Sequence, residues 1–382
     1  YHRDCLSARD ALPDVIAIDD LHAPGKRAGN HVPELARWID QQGPQQWPVL
    51  LTCGPDDLAS DFDRDCAGEG FILHATTVPL VDAAEAGRLR TWYEDRFATP
   101  APTTDTAFDQ ADAQGEGLLV SMAVELREGN LQSFARRFSD RIRRGGLEVA
   151  LRLPLALNRL YLSAPQDWLD REARERLDAL NRNEDFRLAS DEAADIRTLR
   201  LTHPHLAEAV YRALRDPAVG RAYSHDLDEA FQRAMREQRP DLAFGLVRQC
   251  AWPEGAMAQR VADLDLESLA GWPAACVAWL EAHDSHPLWG RFWKDIYTHA
   301  DTMRLPLPDP QGKASLLALA SAWLQIPGHL LRRDGPYVLR IALASFATGH
   351  VPAGLHDACL TWLRNAECQC GTNWAFVYQA LL

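Results

Sequence analysis

The chain has 382 residues, of which 47% are hydrophobic and 25% charged, so it is globular in composition and long enough for two to four domains. Its formal net charge of −14, from 54 acids and 40 bases, makes it a poor general binder of nucleic-acid phosphates or anionic membranes, and leaves only a local patch for either. No apolar run approaches the ~20 residues that a bilayer span needs.

Residues 12–20, Leu-Pro-Asp-Val-Ile-Ala-Ile-Asp-Asp, are a short apolar run ending in two carboxylates. Continuous apolar character predicts a strand buried on both faces, as in a parallel α/β sheet. After Pro24-Gly25, Val32 to Gln42 has helical spacing through Leu35, Trp38 and Ile39. Trp47 to Gly54 is a second apolar strand, and strand, helix and strand together have the size of a βαβ unit. Phe71 to Leu80 reads as a third strand. Asp82 and Glu85 then make a capping pattern for a helix with Leu89, Trp92, Tyr93 and Phe97 on one side. The Pro/Thr/Asp stretch at 98–114 marks a boundary.

From Gly117 the pattern is helical. Leu119, Met122, Ala123 and Leu126 form one stripe, stopped at Gly129-Asn130. Leu131, Phe134, Phe138 and Ile142 form the next, stopped at Gly145-Gly146. The arginines between 136 and 144 are a basic patch, for which a solvated helix face is the plain explanation. Leu153–Leu162 and Trp168–Leu180 read as helices. Phe186–Leu188 and Ile196–Leu201 read as strands around a polar turn at Asp191-Glu192, and a helix follows through Leu206, Val210 and Leu214. Helices followed by a β-hairpin wing suggest a winged-helix-like module.

Beyond about residue 235 the pattern is helical with a loose repeat. Ala278-Trp279-Leu280, Ala322-Trp323-Leu324 and Thr361-Trp362-Leu363 each close a helix. An aromatic-rich helix follows each, near Trp289–Trp293, Tyr337–Ile341 and Trp374–Tyr378. A period near 40 residues is that of paired-helix solenoids.

Three short motifs carry chemistry. Val15-Ile16-Ala17-Ile18-Asp19-Asp20 has the form of a Walker B strand, which delivers a carboxylate to the edge of a buried sheet where Mg²⁺ and phosphate meet. Many buried strands also end in an Asp that merely caps the next turn. Thr52 closes the second strand. The segment Leu199 to Glu208 contains His203-Pro204-His205 at a strand-to-helix corner, where His203 is equally readable as a local helix-start residue.

In this order the motifs resemble STAND-class P-loop NTPases, the group of the NACHT and NB-ARC switches and of bacterial defence STAND proteins. The resemblance implies a multidomain fold. Residues 1–100 would be the C-terminal part of an α/β P-loop core, 115–150 a helical lid, 151–225 a winged-helix-like domain and 235–382 TPR-like all-α repeats. It implies that Asp19 holds Mg²⁺ through water, that Asp20 orients the attacking water, that Thr52 senses phosphate and that His203 reaches the β-phosphate of bound ADP. An imidazole contacting ADP would couple nucleotide state to domain position. The chain departs from the pattern in two respects. Cys53-Gly54 stand where the family often has an Arg, for which Arg64 is the available substitute. No G-x-x-x-x-G-K-[ST] loop occurs, so the β- and γ-phosphates lack their Lys and backbone cradle, and no hydrolysis is expected from these residues alone.

The expected function is therefore a cytoplasmic signalling switch using ATP or ADP with Mg²⁺, cut from a longer polypeptide that supplies the phosphate loop. Its repeats would sense a protein ligand, its active state would self-associate, and antiviral defence is the family's common setting. The alternative is a scaffold of winged helix and repeats that binds protein partners. Nucleic acid is disfavoured, because the Leu206–Leu214 helix carries Glu208, Arg212 and little else charged. A conventional enzyme finds no support, since His22, His31, His74, Ser121 and Ser163 lack nucleophile-elbow or zincin spacing. Eight scattered cysteines need no disulfide framework. Cys368-Gln-Cys370 with Cys359 and His356 lacks a C-x-x-C pair and is a weak metal site.

Overall fold

The structure, a computed structural model, describes residues 15–18, 49–52, 83–97, 131–181, 188–193, 196–201, 206–215, 219–253, 256–307, 312–326, 328–332, 334–346, 353–364 and 377–380. Most of these residues are helical. Two compact units divide the chain, Tyr1–Val219 and Gly220–Leu382.

In the first unit, β1 (Val15–Ile18) and β2 (Val49–Thr52) pair in parallel, from Val15 beside Val49 to Ile18 beside Thr52. Parallel neighbours need a long crossover, and residues 19–48 supply the length. Helix α1 (Ala83–Phe97) follows, with Trp92 58% exposed.

Helix α2 (Leu131–Arg144) buries Phe134, Phe138 and Ile142 at helical spacing and leaves Arg136, Arg137 and Arg144 in solvent. Its end is closed by the Gly145 N–H on Arg141 O at 2.9 Å and the Leu147 N–H on Ile142 O at 3.0 Å. Gly146 stands at φ 65°, the left-handed value that glycine adopts without a Cβ penalty. Buried Leu147 then leads into α3 (Glu148–Asn158).

A three-stranded antiparallel sheet follows in the order β3 (Ala164–Pro165), β5 (Ile196–Leu201), β4 (Leu188–Ala193). Pro165 lies in an edge strand, where its missing N–H costs nothing to the ladder. Between β3 and β4, Gln166–Trp168 form a single 3₁₀ turn, and Asp170 caps α4 (Arg171–Asn181) by accepting the Ala173 N–H at 2.7 Å. Helix α5 (Ala207–Arg215) buries Ala207, Val210, Tyr211 and Leu214 and packs on α2 and α3. The Ser139 hydroxyl donates to Val210 O at 3.1 Å, and Arg143 Nη2 donates to Ala213 O and Leu214 O at 3.0 and 2.8 Å. A guanidinium on the last carbonyls of a helix is favoured both as a hydrogen-bond donor and by the dipole.

The second unit is all-helical among the described residues. Its helices are α6 (Val219–Arg236, which straddles the unit boundary), α7 (Pro240–Ala251), α8 (Ala256–Arg260), α9 (Trp272–Ala282), α10 (Trp289–His299), α11 (Gly312–Leu324), α12 (Gly335–Ser345) and α13 (Ala353–Arg364). Helix α9 packs on α10, α10 on α11 and α12, and α11 on α12 and α13, the stepwise pattern of a stack in which each pair buries the face of its neighbour. The three Trp-Leu marks close α9, α11 and α13 as the repeat predicted. Trp289 and Trp293 at the head of α10 are fully buried, and their indole N–H groups donate to Leu280 O at 2.8 Å and Leu316 O at 2.7 Å. Buried indoles of this kind need such partners. Among the described residues no helix is long and apolar enough to cross a membrane.

Several elements differ from the sequence expectation. Asp191 and Glu192 are not a turn; they lie in β4, beside Thr198 and Arg197. Two adjacent acids read as a turn, yet they are tolerated in an edge strand with one open side. Helix α3 begins at Glu148 rather than near Leu153 and ends at Asn158 rather than Leu162, because Tyr161 adopts φ 56°. A division at residue 150 cuts through the packing of α2 on α5. The expected strand at 71–80, the helix from Gly117 and the helix at 32–42 lie outside the described residues.

Candidate functional site

Thr52 ends β2 directly beside Ile18, the last residue of β1. The two strands therefore finish at one edge, the carboxyl edge at which parallel α/β sheets bind ligands. Asp19 and Asp20, which follow Ile18 in sequence, lie outside the described residues, and so does His203. Only Thr52 of the four expected site residues is described, by its backbone pairing.

Residues 202–205 lie outside the described residues; on either side of them, β5 and α5 are joined to a buried polar cluster at the end of α3. Asn158, 1% exposed, ends α3 and turns its amide onto β5. Its Oδ1 accepts the Leu201 N–H at 2.5 Å, and its Nδ2 donates to Leu162 O at 3.0 Å and Leu199 O at 3.4 Å. The amide has one consistent orientation, since exchanging its O and N would set an N–H against the Leu201 N–H. Its sequence neighbour Arg159, 2% exposed, binds Glu208 of α5 with two prongs. Nη2 donates to Oε1 at 2.9 Å and Nε to Oε2. Its guanidinium carbon lies 5.1 Å from the centroid of the Tyr211 ring. Glu208 also takes the exposed Arg212 as an i,i+4 partner. A buried ion pair of this kind persists because removing either partner strands the other charge out of water.

The sequence reading counted Glu208 only among the charges of the Leu206–Leu214 helix and did not single out Asn158 or Arg159. The signal was present in Leu-Ala-Leu-Asn158-Arg159-Leu, where two polar residues interrupt an apolar helix. Apart from Leu162, their hydrogen-bond partners lie more than forty positions away, which periodicity cannot report.

A second polar cluster joins the repeats of the second unit. His283 stacks on Trp279 at 4.6 Å, and its Nδ1 donates to Trp279 O at 2.9 Å. His329 meets Trp323 at 4.6 Å, and its Nδ1 donates to Trp323 O at 3.1 Å. His286 accepts the Leu288 N–H on Nδ1 at 3.2 Å. Burial, then His283 beside it, lowers the His286 pKa against a smaller opposing pull from Asp241. Burial, then the Arg332 guanidinium, lowers that of His329, opposed by the Trp323 carbonyl and Asp284. Both rings are held toward their neutral forms, which suits packing rather than proton transfer.

Cys359 is buried, and burial pushes its thiol up to about 11, so it stays protonated at neutral pH and packs as a small apolar side chain. His356 lies exposed beside Asp357, while Cys368 and Cys370 are outside the described residues. Among the described residues no three His, Cys, Asp or Glu gather in a way that could hold a metal ion. Ser163 is buried; His22, His31, His74 and Ser121 lie outside the described residues. The Arg-rich stretch on α2 is in part structural, since Arg143 closes α5. No family model matches the chain, and no curated protein or solved structure matches it.

Proposed function

We propose that the chain is the downstream part of a STAND-class signalling switch, in which bound nucleotide holds a closed form and a protein ligand on the helical repeats releases it. The observation that carries the reading is the parallel register of Ile18 with Thr52. It supports a Walker B strand next to a phosphate-sensing strand, with the Asp19 carboxylate as the hard oxygen donor that would hold Mg²⁺ through water and Thr52 as the phosphate sensor. The ion would contribute charge neutralisation at the phosphates. The phosphate loop is absent from these residues, so the reading requires one supplied upstream, and no hydrolytic step is derived for this chain.

Two further features support the switch. The sheet order β3-β5-β4, with α3 before β3 and α4 between β3 and β4, is compatible with a winged-helix-like module whose last strand precedes His203 in the sequence. The stacked helices of the second unit offer an extended surface of the kind repeat proteins use for ligands. Exchange of ADP for ATP would then favour the open form and self-association, and a few kcal/mol of differential affinity suffices to shift such an equilibrium. Antiviral defence is the setting we propose for it.

Calorimetry with ADP tests the reading, comparing this chain with one extended upstream through its native coding sequence. Binding by the extended chain, weakened by Asp19→Asn and by His203→Ala, supports the switch. If the extension brings neither a phosphate loop nor ADP binding, the Walker B assignment fails and the repeats stand as a protein-binding scaffold.

A further inference from the structure

We infer that the turn after α9 is a recognition site for a peptide amide, whose carbonyl oxygen is taken by the indole N–H of Trp279. The site rests on the reading that the repeats receive a protein ligand, and the amide it takes belongs to that ligand's backbone.

The repeat core shows what this N–H lacks. Trp289, Trp293 and Trp323 each give their indole N–H to a backbone carbonyl, at 2.7 to 2.8 Å. Trp323, which closes α11, reaches back 39 positions to Asp284 O in the turn between α9 and α10. Trp279 holds the corresponding place in α9 and is 5% exposed. Its Nε1 is buried and has no hydrogen-bond partner among the described residues. The connection that would supply one by analogy is short: only Glu237, Gln238 and Arg239 separate α6 from α7, against residues 283–288 between α9 and α10. A donor buried without an acceptor is costly, and an orphan of this kind in a core that otherwise pairs its indoles points to a group that arrives from outside.

The rings around it define the chemistry of that group. Phe244 of α7 and Phe292 of α10 meet the indole edge-on at 5.6 and 5.7 Å and make the walls apolar. His283 stacks on it at 4.6 Å, and His286 stands edge-on at 5.0 Å. Both imidazoles are half-buried, so the indole lies one ring beneath the surface. His283 commits its Nδ1–H to Trp279 O, which leaves Nε2 of the neutral ring as an acceptor. His286 accepts the Leu288 N–H on Nδ1, which leaves its Nε2–H as a donor. Two ring donors and one ring acceptor thus gather at one indole, the complement of a group that carries both a carbonyl oxygen and an N–H. A peptide amide is that group. The Asp241 carboxylate of α7 acts on His286, so a second anion is disfavoured and a neutral amide is selected over a carboxylate. A few converging polar groups in an apolar setting are the usual make-up of a small recognition site.

The test uses the 382-residue chain and N-methylacetamide, the smallest trans peptide amide, read on the indole N–H signals in nitrogen-15 correlation spectra. The Trp279 signal is identified by its loss in Trp279→Phe, or by Overhauser contacts to Phe292 if that variant does not fold. We expect a saturable downfield shift of this signal, with those of Trp289, Trp293 and Trp323 unmoved because their acceptors are in place. His283→Phe keeps a ring on the indole and removes the acceptor, and should weaken the amide about fivefold, the worth of one hydrogen bond. Absence of a saturable shift at Trp279, an equal shift with acetate, or unchanged amide affinity in His283→Phe overturns the site. ADP binding is measured separately. Its failure removes the switch and leaves the amide result standing, and failure of the amide titration removes this site alone.

Discussion

The indole N–H of Trp323, at the end of α11, donates to the backbone carbonyl of Asp284 at 2.7 Å, in the turn that follows α9. One side chain thus ties the close of one repeat to the exit of the repeat before it. Arg332 reinforces the same turn by donating to Ser285 O at 3.1 Å. Trp323→Phe keeps most of the packing and leaves the exposed Asp284 carbonyl only the longer bond from Arg332 Nη1 at 3.5 Å, and we expect a loss of about 0.5–1.5 kcal/mol. Trp323→Ala should cost about 3–5 kcal/mol. Urea unfolding followed by near-ultraviolet circular dichroism measures both, and equal losses in the two variants would show that the hydrogen bond rather than the ring is the tie.

Gly290 sits where α10 meets α12. A Cβ there would lie 2.7 Å from Asp334 Cβ and 2.9 Å from Val338 Cγ2, and Asp334 also accepts the Arg291 N–H at 3.2 Å. Gly290→Ala should therefore destabilise the second unit by about 1–3 kcal/mol through overpacking, although alanine is the better helix former. Thermal unfolding decides it, and a raised Tm would show that the helices have room to part.

The Arg159–Glu208 pair makes an asymmetric prediction. Arg159→Met leaves Glu208 part-buried with only the exposed Arg212, and should cost about 3–5 kcal/mol. Adding Glu208→Leu should recover much of that loss, because the stranded charge is then gone. Denaturant midpoints of the two singles and the double give the coupling directly. Additive losses would mean that the pair is not a unit.

Acid should weaken the second unit by a defined route. His286 and His329 are both lowered from 6.5, so below that value the unfolded chain takes up protons that the folded one refuses. Stability is then full above about pH 6.5 and falls as pH drops toward the lowered folded values. His286→Gln and His329→Gln should each flatten this dependence. The check is the Tm between pH 7.5 and 5.0 for each variant; slopes equal to the wild type would assign the acid sensitivity to other groups.

Much of the helical order was legible because its signal is local. Phe134, Phe138 and Ile142 lie four apart, Gly145-Gly146 stop their helix, and three Trp-Leu pairs mark repeat ends where buried indoles are needed. Asp191 and Glu192 misled because local polarity reads as a turn, while an edge strand accepts acids on its open side. The Asn158–Leu201 and Arg159–Glu208 ties were illegible for another reason. They join residues 43 and 49 positions apart, and nothing in either local pattern names the other. Of the expected nucleotide residues only Thr52 stands among the described ones, as the register partner of Ile18, and Asp19, Asp20 and His203 do not.

The indole rings of the repeat core also have an optical consequence. Trp289 lies 4.7 Å from Trp323 at 7° between ring planes, and 6.4 Å from Trp293 at 4°. Chromophores this close and this nearly parallel share their excited states, so the stack has its own dichroic signature, distinct from that of isolated indoles. Sliding one repeat against the next would decouple the rings before any helix melts. The second unit thus carries an internal, label-free gauge of repeat-to-repeat alignment, readable in the near ultraviolet while a ligand is added.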